Sequence, residues 1–529
     1  MKGTALAALA VLVLACDARP TPRLGQRDPG TLVVAQAAGV IGLDPARVTD
    51  SESLELGELL FEGLVGWKPG TTDIEPRLAS AWQASADGRT WTFHLRDRVR
   101  FHDGTLLDAN AVVFSFERVL DAKHPYYLAA SNDVTYWRTL LKDVESVTAV
   151  EPLVVEIHTR RPYSPLLGEL AIFPIVSPVA VREWGDAFSA HPVGTGPYML
   201  ERWDPGQDVV VRRFDRYWGP APILDRIVFE VVVDARQRLV DLEAGTVDLA
   251  TAILPDEQPF VELHPDLVLH HTPANDVAYL AFNTTHPPFD DVRVRRAANL
   301  AINKEPIVKL GFQGRAIAAS TPLPPTMWGY HVPAVRYAYD PAAARALIAE
   351  ATADGAFDGK RVFKLYAPST PRPYLPQPER VARFLQAGLD QIGIHTELVL
   401  EPYAEARQSV ARGEHDLALF GWIGDTGDPD NFLYVLFHSD NAQLGDAQNI
   451  AFYRDPEVDK LLADAQGIAD EPTRAGLYAA VQDKLAVDAP WVPIAHSELV
   501  VAGRAEITHV VLSPVGHPVY SQIRREEPR

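Results

Sequence analysis

The stretch GWIGDTGDPDNF, residues 421–432, sets Asp425, Asp428 and Asp430 in one short loop between an apolar run and Phe432. Carboxylates at that density suit three chemistries: a calcium seat, a general acid–base pair, or a counter-charge for a cationic ligand group. A calcium loop of the EF-hand type needs an oxygen ligand at its third position and a glutamate at its twelfth. Counted from Asp425, those positions hold Gly427 and Leu436, which argues against calcium. Spacing alone leaves acid–base catalysis open, but the chain carries no G-x-S-x-G elbow, H-E-x-x-H helix, P-loop or C-x-x-C pair. GTGPY at 194–198 lacks the third glycine of a dinucleotide fingerprint, and the pair His270–His271 reads as a surface pair. No catalytic residue, metal site or cofactor is expected, and the protein is not expected to be an enzyme. The third chemistry, a seat for a positive group, stands.

The elements around the loop must position it. RVFKLYAP (361–368) reads as a strand leading through STPRPYLPQ into the helix PERVARFLQAGLDQIG, whose buried stripe is Val381, Phe384, Leu385 and Leu389. IHTELVLE then alternates Ile394, Thr396, Leu398 and Leu400 as a strand does; a helix near 403–412 and the strand HDLALFGW follow. This β-α-β-α-β succession predicts parallel strands with right-handed crossovers, whose carboxyl ends lie along one edge. Ligands bind in the crevice outside that edge. Arg372 follows the first strand and Asp425 the last, so an arginine and an aspartate should face one cleft. Nearer the amino terminus, LVVAQ (32–36) and WTFHL (91–95) read as strands, and DANAVVFSFERVL as a helix started at Asp108 with Val112, Phe116 and Val119 on one face. The fold class is α/β.

At 529 residues the chain exceeds one core, so two or three lobes are expected. Its net charge of −21 argues against nucleic acid, which needs a basic surface. MKGTALAALAVLVLAC has Lys2 followed by an apolar stretch, Ala5 to Ala15, about half the ~20 residues that span a bilayer, and reads as an export signal, residues 1–15. The only cysteine, Cys16, closes it in the setting VLAC, which resembles the lipobox of bacterial lipoproteins. Acylation there would anchor the mature protein to a membrane, with residues 16–30, rich in Pro, Gly and charge, as a tether.

Long stretches carry a resemblance: EPRLASAWQASADGRTWTFHLRDRVRFHDGTLLDANAVVFSFERVL (75–120), PVGTGPYMLERW (192–203), FDRYWG (214–219), DDVRVRRAANLAINKEPIV (290–308), LPPTMWGY (323–330) and the aspartate loop itself. They are similar to the extracytoplasmic solute-binding proteins, family 5, that serve peptide ABC importers, and most of all to its dipeptide-binding members. The resemblance implies a three-lobed periplasmic-binding-protein fold, class II-like and of cluster C. Domain I would be discontinuous (31–60, 194–285 and 496–529), domain II would span 61–193 and domain III 286–495, with ligand enclosed between I and III. It also implies roles. Asp425 matches the aspartate that takes a peptide's amino terminus, and Arg372 the arginine that holds its carboxylate. Tyr374, Gly421 and Trp422 match neighbours in that site, and Thr49 to Ser51 a loop that touches the peptide backbone. Asp428 and Asp430 read instead as turn and capping residues beside Pro429.

The chemistry suits those roles. A free dipeptide is a zwitterion whose terminal charges stand about 5–6 Å apart when extended. An arginine offers a bidentate fork to a carboxylate, and an aspartate accepts several bonds from an ammonium. Expected partners are therefore a short peptide, a permease with its ATPase, and a membrane reached through the lipid anchor. The protein is expected to work extracytoplasmically as a monomer that closes about strands near residues 285 and 495. Other cargo known to the family, such as haem, glutathione or nickel, and a peptide-sensing role without transport are the competing readings.

Overall fold

In the computed structural model, residues 28–128, 132–204 and 206–526 are described; Cys16 and the expected signal and tether up to residue 27 lie outside them. The local expectations hold where the physics is local. Thr31–Gln36 is a strand. Thr90–Leu95 buries Trp91, Phe93 and Leu95 and turns the alternate side chains outward. Asp108 caps the helix Ala109–Leu120 by accepting from the Ala111 N–H, and that helix buries Val112, Phe116 and Val119.

The hydrophobic core falls into three bodies. An inserted body centres on a four-stranded antiparallel sheet ordered Ala79–Ala84, Thr90–Leu95, Val154–Thr159, Val144–Glu151, with a core running from Leu64 and Val65 to Phe173 and Ile175. A terminal body packs both faces of strands 31–36, 209–213, 226–231 and 249–250 with the carboxyl-terminal residues. A distal body holds the predicted β-α-β-α-β run. There Val362–Pro368 pairs in parallel with both His395–Glu401 and Leu417–Ile423. The helix Pro378–Asp390 buries Val381, Leu385 and Leu389 against one face, with Phe384 half-buried beside them, and Tyr403–Ala411 covers the other.

The terminal and distal bodies share one mixed twelve-stranded sheet. The strand Trp491–Arg504, fourteen residues long, runs through both: it pairs with Asp276–Phe282 on the distal side and with Leu267–Pro273 on the terminal side. Only Ala274 and Asn275 separate those two partners, so the chain passes between the bodies there and at Ala495–Glu498. Among the described residues, no helix is long and apolar enough to cross a membrane.

Candidate functional site

The loop after Leu417–Ile423 is fixed residue by residue. Gly424 donates its N–H to the Asn275 carbonyl at 2.8 Å and accepts the Asn275 side-chain amide at 2.9 Å. A Cβ on Gly424 would meet that amide at 2.4 Å and the Phe432 ring at 2.3 Å, so any side chain there would force both to shift. Asn275 itself donates its backbone N–H to Pro514 of the terminal body at 2.9 Å. The Asn431 side-chain oxygen accepts both the Asp425 N–H (3.0 Å) and the Trp422 indole N–H (3.1 Å), which aims the two residues together.

The Asp425 carboxyl meets the Tyr136 hydroxyl, presented by the helix Asn132–Leu140 of the inserted body. Burial pushes its pKa up to about 6, and the tyrosine bond offsets part of that rise. Among the described residues, no guanidinium or ammonium pairs with it. Asp428 and Asp430 behave differently. Asp428 accepts the Asp430 N–H at 2.9 Å, the expected turn, but it also takes both arms of Arg474 at 2.9 and 2.8 Å in a buried pair. Asp430 opens the helix Asp430–Phe437 and accepts the Gln466 amide at 3.0 Å. Of the three aspartates, Asp428 is spent on an ion pair within the fold, whereas Asp425 faces no cation among the described residues.

Arg372 sits in a tight turn closed by paired backbone bonds with Leu375, 3.1 and 2.9 Å. Its guanidinium lies 4.1 Å over the Tyr403 ring, and its buried Nε has no hydrogen-bond partner. Tyr374 is 3% exposed, with its hydroxyl beside that guanidinium but likewise unbonded; burial pushes its phenol pKa far above the ordinary value. Gly421 makes room for it, since a Cβ there would stand 2.2 Å from the Tyr374 ring. The strands before Arg372 and Asp425 are parallel neighbours, so both residues follow carboxyl ends on one sheet edge.

Five predicted residues, Arg372, Tyr374, Gly421, Trp422 and Asp425, thus share the distal body. Thr49 and Ser51 stand exposed on the terminal body, where Asp50 caps the helix Ser51–Leu60. Trp328, another aromatic, lies tilted beside Tyr478 (5.9 Å), with the Arg474 guanidinium 4.9 Å over its ring. Sequence reasoning missed Tyr136, Asn275, Asn431 and Tyr403. Asn431 lies inside the loop and its short polar side chain was a readable signal; the others are brought in by tertiary packing and had none.

The chain as a whole has known counterparts. The family model for bacterial extracellular solute-binding proteins, family 5 (middle), matches residues 73–443. The chain belongs to this family. It is 33% identical to Heme-binding protein A of Haemophilus influenzae, over 98% of each chain. It is 32% identical to the Dipeptide-binding protein of Escherichia coli, over 94% of this chain and 95% of that one. Among solved structures it matches HbpA2 from Haemophilus parasuis with a TM-score of 0.85 and 30% identity, covering 94% of this chain and 100% of that one. It also matches the periplasmic binding protein DppA from Helicobacter pylori in complex with the peptide STSA, with a TM-score of 0.77 and 30% identity over 94% and 98% of the two chains. The mixed α/β architecture is that of the periplasmic binding proteins, as the sequence resemblance implies.

Proposed function

We infer that this chain captures short peptides by their free termini and delivers them to an ABC permease. Asp425 takes the ammonium, Arg372 takes the carboxylate, and Tyr374, Trp422, Gly421 and the Thr49–Ser51 turn form the walls. One observation carries the reading: on a single sheet edge, an aspartate and an arginine each lack a counter-charge among the described residues. Unpaired opposite charges held apart by a rigid sheet match a zwitterion, and closing the cleft around it strengthens both contacts by excluding water. The names of relatives that bind dipeptides, and the neighbour solved with a peptide, support the same cargo. The terminal, inserted and distal bodies correspond to domains I, II and III. Closure would pivot at 274–276 and 495–498, where the chain crosses between bodies, the first crossing lying about ten residues before the expected 285. The protein acts as a monomer outside the cytoplasm, held by an acylated Cys16.

A second reading, capture of haem, has its own support in the likeness to Heme-binding protein A. Calorimetric titration with a dipeptide, a tripeptide and haemin separates the two. Tight binding of the dipeptide with no heat from haemin is expected; haemin binding without peptide binding would overturn the peptide reading.

A further inference from the structure

The inserted and distal bodies meet at a junction where close backbone approach is built in. A Cβ on Gly168 would come 2.7 Å from the Thr426 carbonyl, and one on Gly427 2.7 Å from Thr72. Across it, the Ser164 N–H donates to the Gln466 carbonyl at 2.7 Å and Arg161 to the Gln466 side chain at 2.6 Å. Four buried carboxyls gather there: Asp143 and Glu169 from the inserted body, Asp428 and Asp430 from the distal one.

Among the described residues, two cations answer them, and both are committed. Arg161 grips Asp143 with two bonds of 2.9 Å, and Arg474 grips Asp428 at 2.9 and 2.8 Å. Glu169 and Asp430 are left with one neutral donor each, the Tyr163 hydroxyl at 2.5 Å and the Gln466 amide at 3.0 Å. The second oxygen of each, Glu169 Oε2 and Asp430 Oδ1, is buried without a partner. The remaining titratable neighbours are phenols: Tyr136, Tyr163, Tyr434 and Tyr478 are all held above their ordinary range by burial and supply no positive charge. No group of three or more potential ligands among the described residues could hold a metal ion. Two buried carboxylates without counter-charge or cation cannot both stay ionised.

We propose that Glu169 and Asp430 form a proton-binding site across this junction, so that closure of the inserted and distal bodies takes up a proton and opening releases it. Burial pushes Asp430 up to about 7, and Glu169 well above its ordinary value. A carboxyl whose pKa is higher when closed than in water favours closure at low pH: the advantage is fully present below the solvated value near ~4 and is lost as pH rises through about 7.

The test compares wild type with the double variant E169Q/D430N, which keeps the shape of both side chains and can carry no proton. Saturation at pH 6.5 with whichever of dipeptide and haemin binds should increase the infrared carbonyl absorption of protonated carboxyls in wild type, and increase it less in the variant. This arm does not depend on the cargo being a peptide. The second arm rests on the peptide reading: dipeptide binding, titrated in buffers of different ionisation heat, should take up about one more proton in wild type than in the variant. Discrimination between free and N-acetylated dipeptide should stay the same in both. No gain in that infrared absorption in wild type, or the same gain in the double variant, would overturn the proposal. Absence of any dipeptide binding alongside the expected band change would overturn the peptide reading alone.

Discussion

Asp425→Asn isolates one charge. The amide keeps the size of the side chain, the Asn431 bond to the residue 425 backbone and the contact with Tyr136, while removing the charge that would face the proposed ammonium. For a charge pair desolvated on closure, the loss is on the order of 2–5 kcal/mol, or roughly thirty-fold or more in affinity at about 1.4 kcal/mol per tenfold. The substitution should therefore weaken a free dipeptide by that factor and an N-acetylated dipeptide hardly at all. The pH profile gives a second handle. An ammonium binds the ionised carboxyl, so affinity is fully present above the raised pKa of about 6 and falls as pH drops through it; one unit lower, about a tenth of the sites are ionised and affinity is down roughly tenfold. A fall at alkaline pH follows as the ligand's own amine deprotonates near ~8. Isothermal titration from about pH 5 to 9 in the E169Q/D430N background, which removes the opposing proton uptake at the junction, reads both effects, with the acid limb missing once Asp425→Asn is added. Equal losses for free and acetylated ligand, or an acid limb that survives the substitution, would show that Asp425 serves the fold rather than the ligand.

Arg372→Ala should mirror this at the other end, costing a free carboxylate thirty-fold or more in titration while leaving a C-terminal amide nearly unaffected. Arg474→Ala strands the buried Asp428 carboxylate, whose side chain is 9% exposed, and should cost about 3–5 kcal/mol of stability in urea unfolding; Asp428→Asn combined with it should recover part of that loss. Cys16→Ser should release the protein from the membrane fraction with ligand binding intact, and mass spectrometry of wild type should find the mature terminus acylated at residue 16.

What the sequence made legible follows the range of the forces involved. Periodicity is local, so the helix Pro378–Asp390, the strand Thr90–Leu95 and the cap at Asp108 were all readable. Chain direction through β-α-β-α-β is governed by handedness, which is why Arg372 and Asp425 could be put on one edge before any coordinate. The partners of Asp428 and Asp425 were not readable. Arg474 lies 46 residues from Asp428, and Tyr136 comes from a different body; neither sits at a spacing that an element imposes. The roles of Thr49 and Ser51 came only from resemblance, and the structure puts Thr49 just before, and Ser51 at the start of, the helix Ser51–Leu60, both exposed.

Asn275 joins three things that a sequence keeps far apart: the crossing between bodies, the terminal body at Pro514, and the backbone of the loop that aims Asp425. The proposed seat for the ligand's amine is thereby tied to the proposed axle, with Gly424 packed so closely that a side chain there would displace Asn275 and Phe432. Rotation at the crossing would re-aim the aspartate as it moves the walls, so a substitution at Asn275 or Gly424 would disturb the motion and the amine seat together.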